Sequence, residues 1–208
     1  VHVTIMAEFA FVEIRKVVGF SGLRLAASFA LVAGLLSGCS SLPAAEDDAF
    51  VPLVRHMADR VATADQVALS KWDSGRPVHD PQREAQVIAN AVAAAPAYGL
   101  AAKDVEDLFT DQMEASKQVQ YARLDAWKRQ GGAPAWERQS LSDEIRPRLD
   151  RLQVEIMEDL RHLAPARKAA DCPDRLADAV ERVARREAFD AVHRAALDRA
   201  VARLCIVD

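Results

Sequence analysis

Glycine is scarce in this chain, with eight residues among 208, aromatic residues make up 6% of it, and cysteine occurs three times. No Gly-rich phosphate loop and no G-x-S-x-G nucleophile elbow can be found. His56, His79, His162 and His193 lack H-E-x-x-H or cysteine-paired spacing, which argues against zinc, and nothing supports a Ser-His-Asp triad. Alternating β-branched runs are missing as well, so little or no sheet is expected. Ala, Leu, Arg, Asp and Glu dominate instead, and long segments repeat at helical spacing. These features predict an all-α fold, a single-domain helical bundle of about six helices.

The first 38 residues are expected to stand apart from that bundle as an export signal. Arg15, Lys16 and Arg24 precede an apolar run of 12 residues, Leu25 to Leu36, which is short for a membrane span. Leu36-Ser37-Gly38-Cys39 closes it and looks like a bacterial lipobox, whose cysteine is lipidated and becomes the new N-terminus. Cleavage near Ala45 into a soluble exported form is one alternative, and an uncleaved anchor another. The likeness implies a periplasmic protein tied to the membrane, the outer one included, only through lipid on Cys39. Setting aside Arg15, Lys16, Arg24, Glu8 and Glu13 leaves 24 basic residues against 29 acidic ones, a poor match for nucleic acid. With Cys39 assigned to the lipobox, Cys172 and Cys205 remain as a disulfide pair in an oxidising compartment, the alternative being two buried thiols.

Residues 39–49 read as a tether and 50–208 as the helical domain. Helix signals run from about Phe50 to Trp72, from Pro81 to about Ala95, and from Ala102 past Trp127 to Gly131-Gly132. Asp80-Pro81 is a strong restart, the aspartate capping free amides and the proline presetting the first helical φ. After a connector, a fourth helix opens near Ser142 with the stripe Ile145, Leu149, Leu152, Ile156, Leu160 and Leu163. A closing pair is expected over about Pro173–Arg185 and Glu187–Leu204. Trp72, Trp127 and Trp136 read as core or helix-end packing.

The apolar stripe of the first helix, Val54, Met57, Val61, Ala64 and Ala68, arrives next at Lys71, a lysine where a core residue is due. Arg60 lies 11 residues earlier, which at 100° per residue returns to within about 20° of the same face. Arg83 and Glu84 follow Asp80 by three and four residues and share its side of a first turn. Ser116 and Gln120, four apart, would line a cavity edge, and Arg146 stands beside the Ile145 stripe. Four cations with two acids and two neutral groups suit a small dianion that bears a hydroxyl. The bland alternative is a set of surface ion pairs on solvated helix faces.

In identity and spacing these residues resemble the all-helical, type II chorismate mutases: an arginine, lysine 11 later, aspartate 9 further, Arg-Glu after it, then Ser-x-x-x-Gln. The segments RVATADQVALSKW and DQMEASKQVQYARLDAWK look like the exported, gamma-type subclass, which has a disulfide and an extended C-terminal half. The resemblance covers about Phe50 to Cys205 and implies rearrangement of chorismate to prephenate without cofactor or metal. On that likeness Lys71 and Gln120 are the catalytic donors to the ether oxygen. Arg60 and Arg146 grip carboxylates with Ser116, Asp80 and Glu84 hold the ring hydroxyl, and Arg83 orders the acids. Arg146 is the match to an arginine that short cytosolic members borrow from a partner subunit, reached with one inserted residue; Arg148 and Arg138 are its alternatives. A homodimer stays open. The competing class is a non-catalytic exported helical lipoprotein that binds a small dianion.

Overall fold

The computed structural model describes residues 49–206. The expected export signal, the lipobox Cys39 and the tether up to residue 48 lie outside them. Six α-helices follow one another: α1 Phe50–Ser74, α2 Pro81–Ala94, α3 Ala102–Gln130, α4 Arg146–His162, α5 Cys172–Arg186 and α6 Ala191–Ala200. Single tight turns of 3-10 helix at Ala95–Tyr98 and Ala166–Lys168, and one wide π turn at Leu141–Ile145, complete them. No strand occurs among the described residues. The expected all-α bundle of about six helices is what forms.

α1 is the centre of the bundle, touching α3, α4, α5 and α6. Its buried positions fall in three layers along its axis. Phe50, Leu53, Val54 and Met57 join the main core with Phe109, Ile156 and Val180. One turn on, Val61 and Ala64 meet Ala115, Val119, Ala196 and Ala200, small residues that let three helices approach closely. Ala68 and Leu69 then pack on Trp127, whose ring stands edge-on to Trp72 at 6.1 Å and to Trp136 at 6.2 Å, closing that end. A helix covered on several sides has no continuous solvated face on which to place a charge. Any cation it carries inward must therefore meet a cavity.

Helix boundaries follow side-chain chemistry. Gly75 and Gly131 end α1 and α3 at φ of 67° and 84°, a left-handed conformation that glycine adopts without a Cβ penalty. α2 begins as expected, Asp80 Oδ1 accepting the Arg83 amide at 3.1 Å. The last helix departs from expectation: α6 opens at Ala191, not Glu187. Asp190 accepts the His193 amide at 2.9 Å, a cap that wins over the apolar periodicity before it, and Ala188 turns the chain at φ 50°. His193 then ties α6 to α1, its ring lying 3.1 Å from Asp65 and 2.9 Å from Asp190; the Asp65 hydrogen bond leads in raising its pKa against burial.

The Cys172–Cys205 disulfide forms, joining the start of α5 to the tail after α6. Arg167, buried beside it, donates from Nε to the Leu204 carbonyl at 2.8 Å, and the Ile206 amide donates to the Arg167 carbonyl at 2.8 Å. Closing a loop with a sequence separation of 33 contributes roughly 3 to 4 kcal/mol by restricting the unfolded chain.

Candidate active site

One cavity of about 400 Å³ opens between α1, α2, α3 and the start of α4. Arg60, Lys71, Asp80, Arg83, Glu84, Ser116, Gln120 and Arg146, the eight residues singled out from sequence, all line it. Apolar walls come from Val67, Val87, Leu141, Ile145 and Leu149. Leu149 belongs to the apolar stripe of α4, yet it is only half-buried, because it faces this space and not a neighbouring helix.

Arg60 sits deepest, 6% exposed, with its guanidinium 5.7 Å from the centroid of the Phe109 ring. Its protein bonds are few and long: Nη1 donates to the Leu149 carbonyl at 3.4 Å and Nη2 reaches the Met113 sulfur at 3.9 Å. Nε is buried and has no partner. Burial pulls its pKa down to about 10, partly offset by the charge of Asp150. At neutral pH it remains a cation, and its bonding capacity is turned to the cavity. Lys71, Arg83 and Arg146 likewise form no ion pair among the described residues. Elsewhere Arg123, Arg138, Arg194 and Arg203 are matched by carboxylates, whereas these four face one shared space. Four unpaired cations around one space describe a site for an anion.

Gln120 is 5% exposed; its amide nitrogen donates to Ser116 Oγ at 3.0 Å and to the Ser116 carbonyl at 3.3 Å, while Oε1 is buried without a partner. One turn of α3 thus sets a hydroxyl and a carboxamide side by side, the i, i+4 geometry read from the spacing. At the opposite wall, Glu84 Oε1 accepts the Asp80 amide at 3.1 Å and so answers the cap that Asp80 gives to Arg83. These reciprocal bonds lock the three residues of the first turn of α2 into one rigid unit.

The chain reaches Arg146 by a fastened route. Gln66 of α1 holds the connector through Nε2 to the Glu137 carbonyl at 3.1 Å and Oε1 from the Gln139 amide at 3.2 Å. Arg138 pairs with Asp73 at 3.1 Å, and Ser140 caps the next turn by accepting the Asp143 amide at 3.2 Å. That capped turn, Leu141–Ile145, is π, a widened turn that accommodates one extra residue. Ile145 enters the core there and Arg146 turns to the cavity. Arg148 faces Asp59 at 3.4 Å and does not line the cavity; neither does Arg138.

Two charged wall residues escaped the sequence reading. Lys117 reads as half of an ordinary i, i+3 surface pair with Glu114, and only the packing of α2 on α3 turns it inward. Asp150 had a signal that could have been used, standing four residues after Arg146 on the same side of α4. With these two included, five cations face three carboxylates, a surplus of two positive charges.

Residues 52–121 match the family model described as chorismate mutase type II. The chain is 36% identical over 181 residues to a protein of Mycolicibacterium smegmatis named secreted chorismate mutase, covering 86% of this chain and 98% of that relative. It is also similar to a crystal structure of chorismate mutase from Burkholderia phymatum, with 61% identity and a TM-score of 0.76 over 77% of this chain and 98% of the other. A second crystal structure, of the chorismate mutase from Burkholderia thailandensis, matches at 34% identity and a TM-score of 0.72, covering 76% and 99% of the two chains.

Proposed function

Since this chain belongs to the chorismate mutase type II family, we propose that the family's rearrangement of chorismate to prephenate takes place in the cavity between α1, α2, α3 and α4. The observation that carries the assignment is the convergence of Arg60, Lys71, Arg83 and Arg146, all without carboxylate partners, on one space of about 400 Å³ beside Gln120 and Ser116.

The chemistry is intramolecular: the ether C–O bond breaks as a C–C bond forms between the side chain and the ring, with no proton or nucleophile supplied from outside. What remains for the protein is to hold the compact conformer and to stabilise negative charge developing on the ether oxygen. Arg60, fixed at depth, grips one carboxylate, and Arg146, on the rim, closes on the other with Ser116. Lys71 and Gln120 donate to the ether oxygen from two helices. Asp80 and Glu84 accept from the ring hydroxyl; carboxylate oxygens hold more than one lone pair, so their capping bonds do not exhaust them. Arg83, in the same turn of α2 as both acids, orders them and faces the rim.

The relatives named secreted chorismate mutase support export of this chain as well. We place residues 1–38 as the export signal, Cys39 as the site of lipid attachment in the periplasm, and 50–208 as the catalytic domain.

Purified protein is expected to consume chorismate, followed by its ultraviolet absorbance, at the same rate with and without excess chelator. Activity lost on chelation, or absent at every pH, would overturn the assignment. Arg146→Ala is expected to lower kcat/KM by about 10² with little change in Tm, because its fork meets a substrate carboxylate and no protein group. Arg138→Ala and Arg148→Ala, which break exposed ion pairs, should stay within about threefold of the parent rate. A sensitive Arg148 would mean that the π turn delivers the wrong residue.

A further inference from the structure

Lys117 belongs to the cavity wall, yet the substrate-binding roles above leave it unused. It follows Ser116 in α3, its side chain is 14% exposed, and Nζ lies 2.8 Å from Glu84 Oε2 and 2.8 Å from Glu114 Oε1. Burial works against its charge, but the hydrogen bonds to Glu114 and Glu84 outweigh that and hold its pKa above the ordinary lysine value. Two of its three protons are therefore committed and its charge is shared between two carboxylates. A third carboxylate, from a substrate, would find it a weak partner.

The helix on the other side of this bond is loosely held. α2 buries only Ala91 completely, although its first turn carries Asp80, Arg83 and Glu84. The reciprocal capping bonds tie those three to one another, but not to the rest of the protein. Among the described residues, Glu84–Lys117 is the one side-chain polar bond from that turn to another helix. Apolar contacts of Val87 and Ile88 can set the distance of α2 from α3, but a directional bond is what resists sliding along it.

We propose that Lys117 is a positioning residue: by holding the Glu84 carboxylate against α3 it fixes the first turn of α2, and so places Glu84 and Asp80 at the ring hydroxyl of the substrate. The inference rests on the placement of Glu84 at the substrate and adds how that placement is enforced. Lys117 acts through Glu84, not by touching chorismate.

A double-mutant cycle with Glu84→Gln separates these roles. Lys117→Met is expected to lower kcat/KM about tenfold, the size of a coupling between residues in one ion-pair network, and Lys117→Arg to recover most of it, since a guanidinium also bridges two carboxylates. In the Glu84→Gln background, itself impaired, Lys117→Met should cost less than about twofold more. A full tenfold loss repeated there would assign Lys117 its own substrate contact and overturn the proposal. A fully active Lys117→Met beside an impaired Glu84→Gln would also overturn it, while leaving Glu84 in the site. An unimpaired Glu84→Gln removes Glu84 from the site and the proposal with it. A fall in Tm for Lys117→Met that tracks the loss of rate, with no recovery in Lys117→Arg, would make the lysine merely structural.

Discussion

Gln120→Glu yields an enzyme that works in acid and fails as the pH rises, whereas the parent carries at that position a carboxamide that does not titrate. The carboxamide can donate a hydrogen bond at any pH, but a carboxyl donates only while protonated. Once ionised, it also places negative charge beside an oxygen on which the transition state accumulates more of the same. The buried setting sharpens the contrast. Gln120 is 5% exposed and lies 3.0 Å from Ser116 Oγ, so an ionised carboxylate there has little water to screen it. Gln120→Ala lacks the donor altogether and should lose about 10² to 10³ in kcat across the whole range, by comparison with removal of one oxyanion donor. The measurement is kcat/KM against pH for the three proteins at equal folded fraction. Near-normal rates with flat profiles in both variants would remove Gln120 from the catalytic machinery.

Arg60→Met should give the second large effect and the opposite response in stability. The guanidinium is buried without an ion-pair partner, only the charge of Asp150 acting on it from nearby, its Nε lacks any partner, and burial pulls its pKa down to about 10. A depression of that size corresponds to roughly 3 kcal/mol of unfavourable burial of the charge. For a base whose folded pKa lies below its unfolded value, this penalty is fully present below about pH 10 and is relieved only above it. Methionine removes the penalty at similar volume, so Tm is expected to rise by about 2 to 6 °C. Activity moves the other way, kcat/KM falling by about 10³, the scale for truncating one side of a buried charge pair once substrate supplies the other. Parent-like kinetics would exclude Arg60 from the site. A lowered Tm would make it a structural residue.

This pattern of a stability deficit where the chemistry is explains why the helix carrying Arg60 and Lys71 could be recognised before any fold was known. An apolar stripe running Val54, Met57, Val61, Ala64, Ala68 and then Lys71 breaks a rule that core helices otherwise keep. The Asp80-Pro81 restart and the Ser116, Gln120 pair were legible for a related reason. Each is a relation between residues within one turn of helix, where 3.6-residue geometry alone decides which side chains are neighbours. The end of α3 at Gly131 belongs to the same class. The cysteine pair rested on a different argument, the chemistry of the compartment, and its geometry was invisible from sequence.

Other features lay beyond that reach. The cap at Asp190 was present in the sequence but competed with an apolar periodicity that pointed to an earlier start for α6, and only the folded chain shows which prevails. Lys117 has a satisfactory local partner in Glu114, and nothing within one turn says that Glu84 of α2 also binds it. Arg146, Arg148 and Arg138 are equally charged and close together in the chain. The choice among them depends on a connector clasped by Gln66 and on the π turn that rotates the start of α4. Sequence by itself determined the all-α class, the main helix starts and stops, and the local clusters of the site, because backbone hydrogen bonding and helical period act over about four residues. Only the tertiary structure decided which clusters face one cavity and which cations stay unpaired in it, because the angle and register between packed helices arise from side chains far apart in the chain.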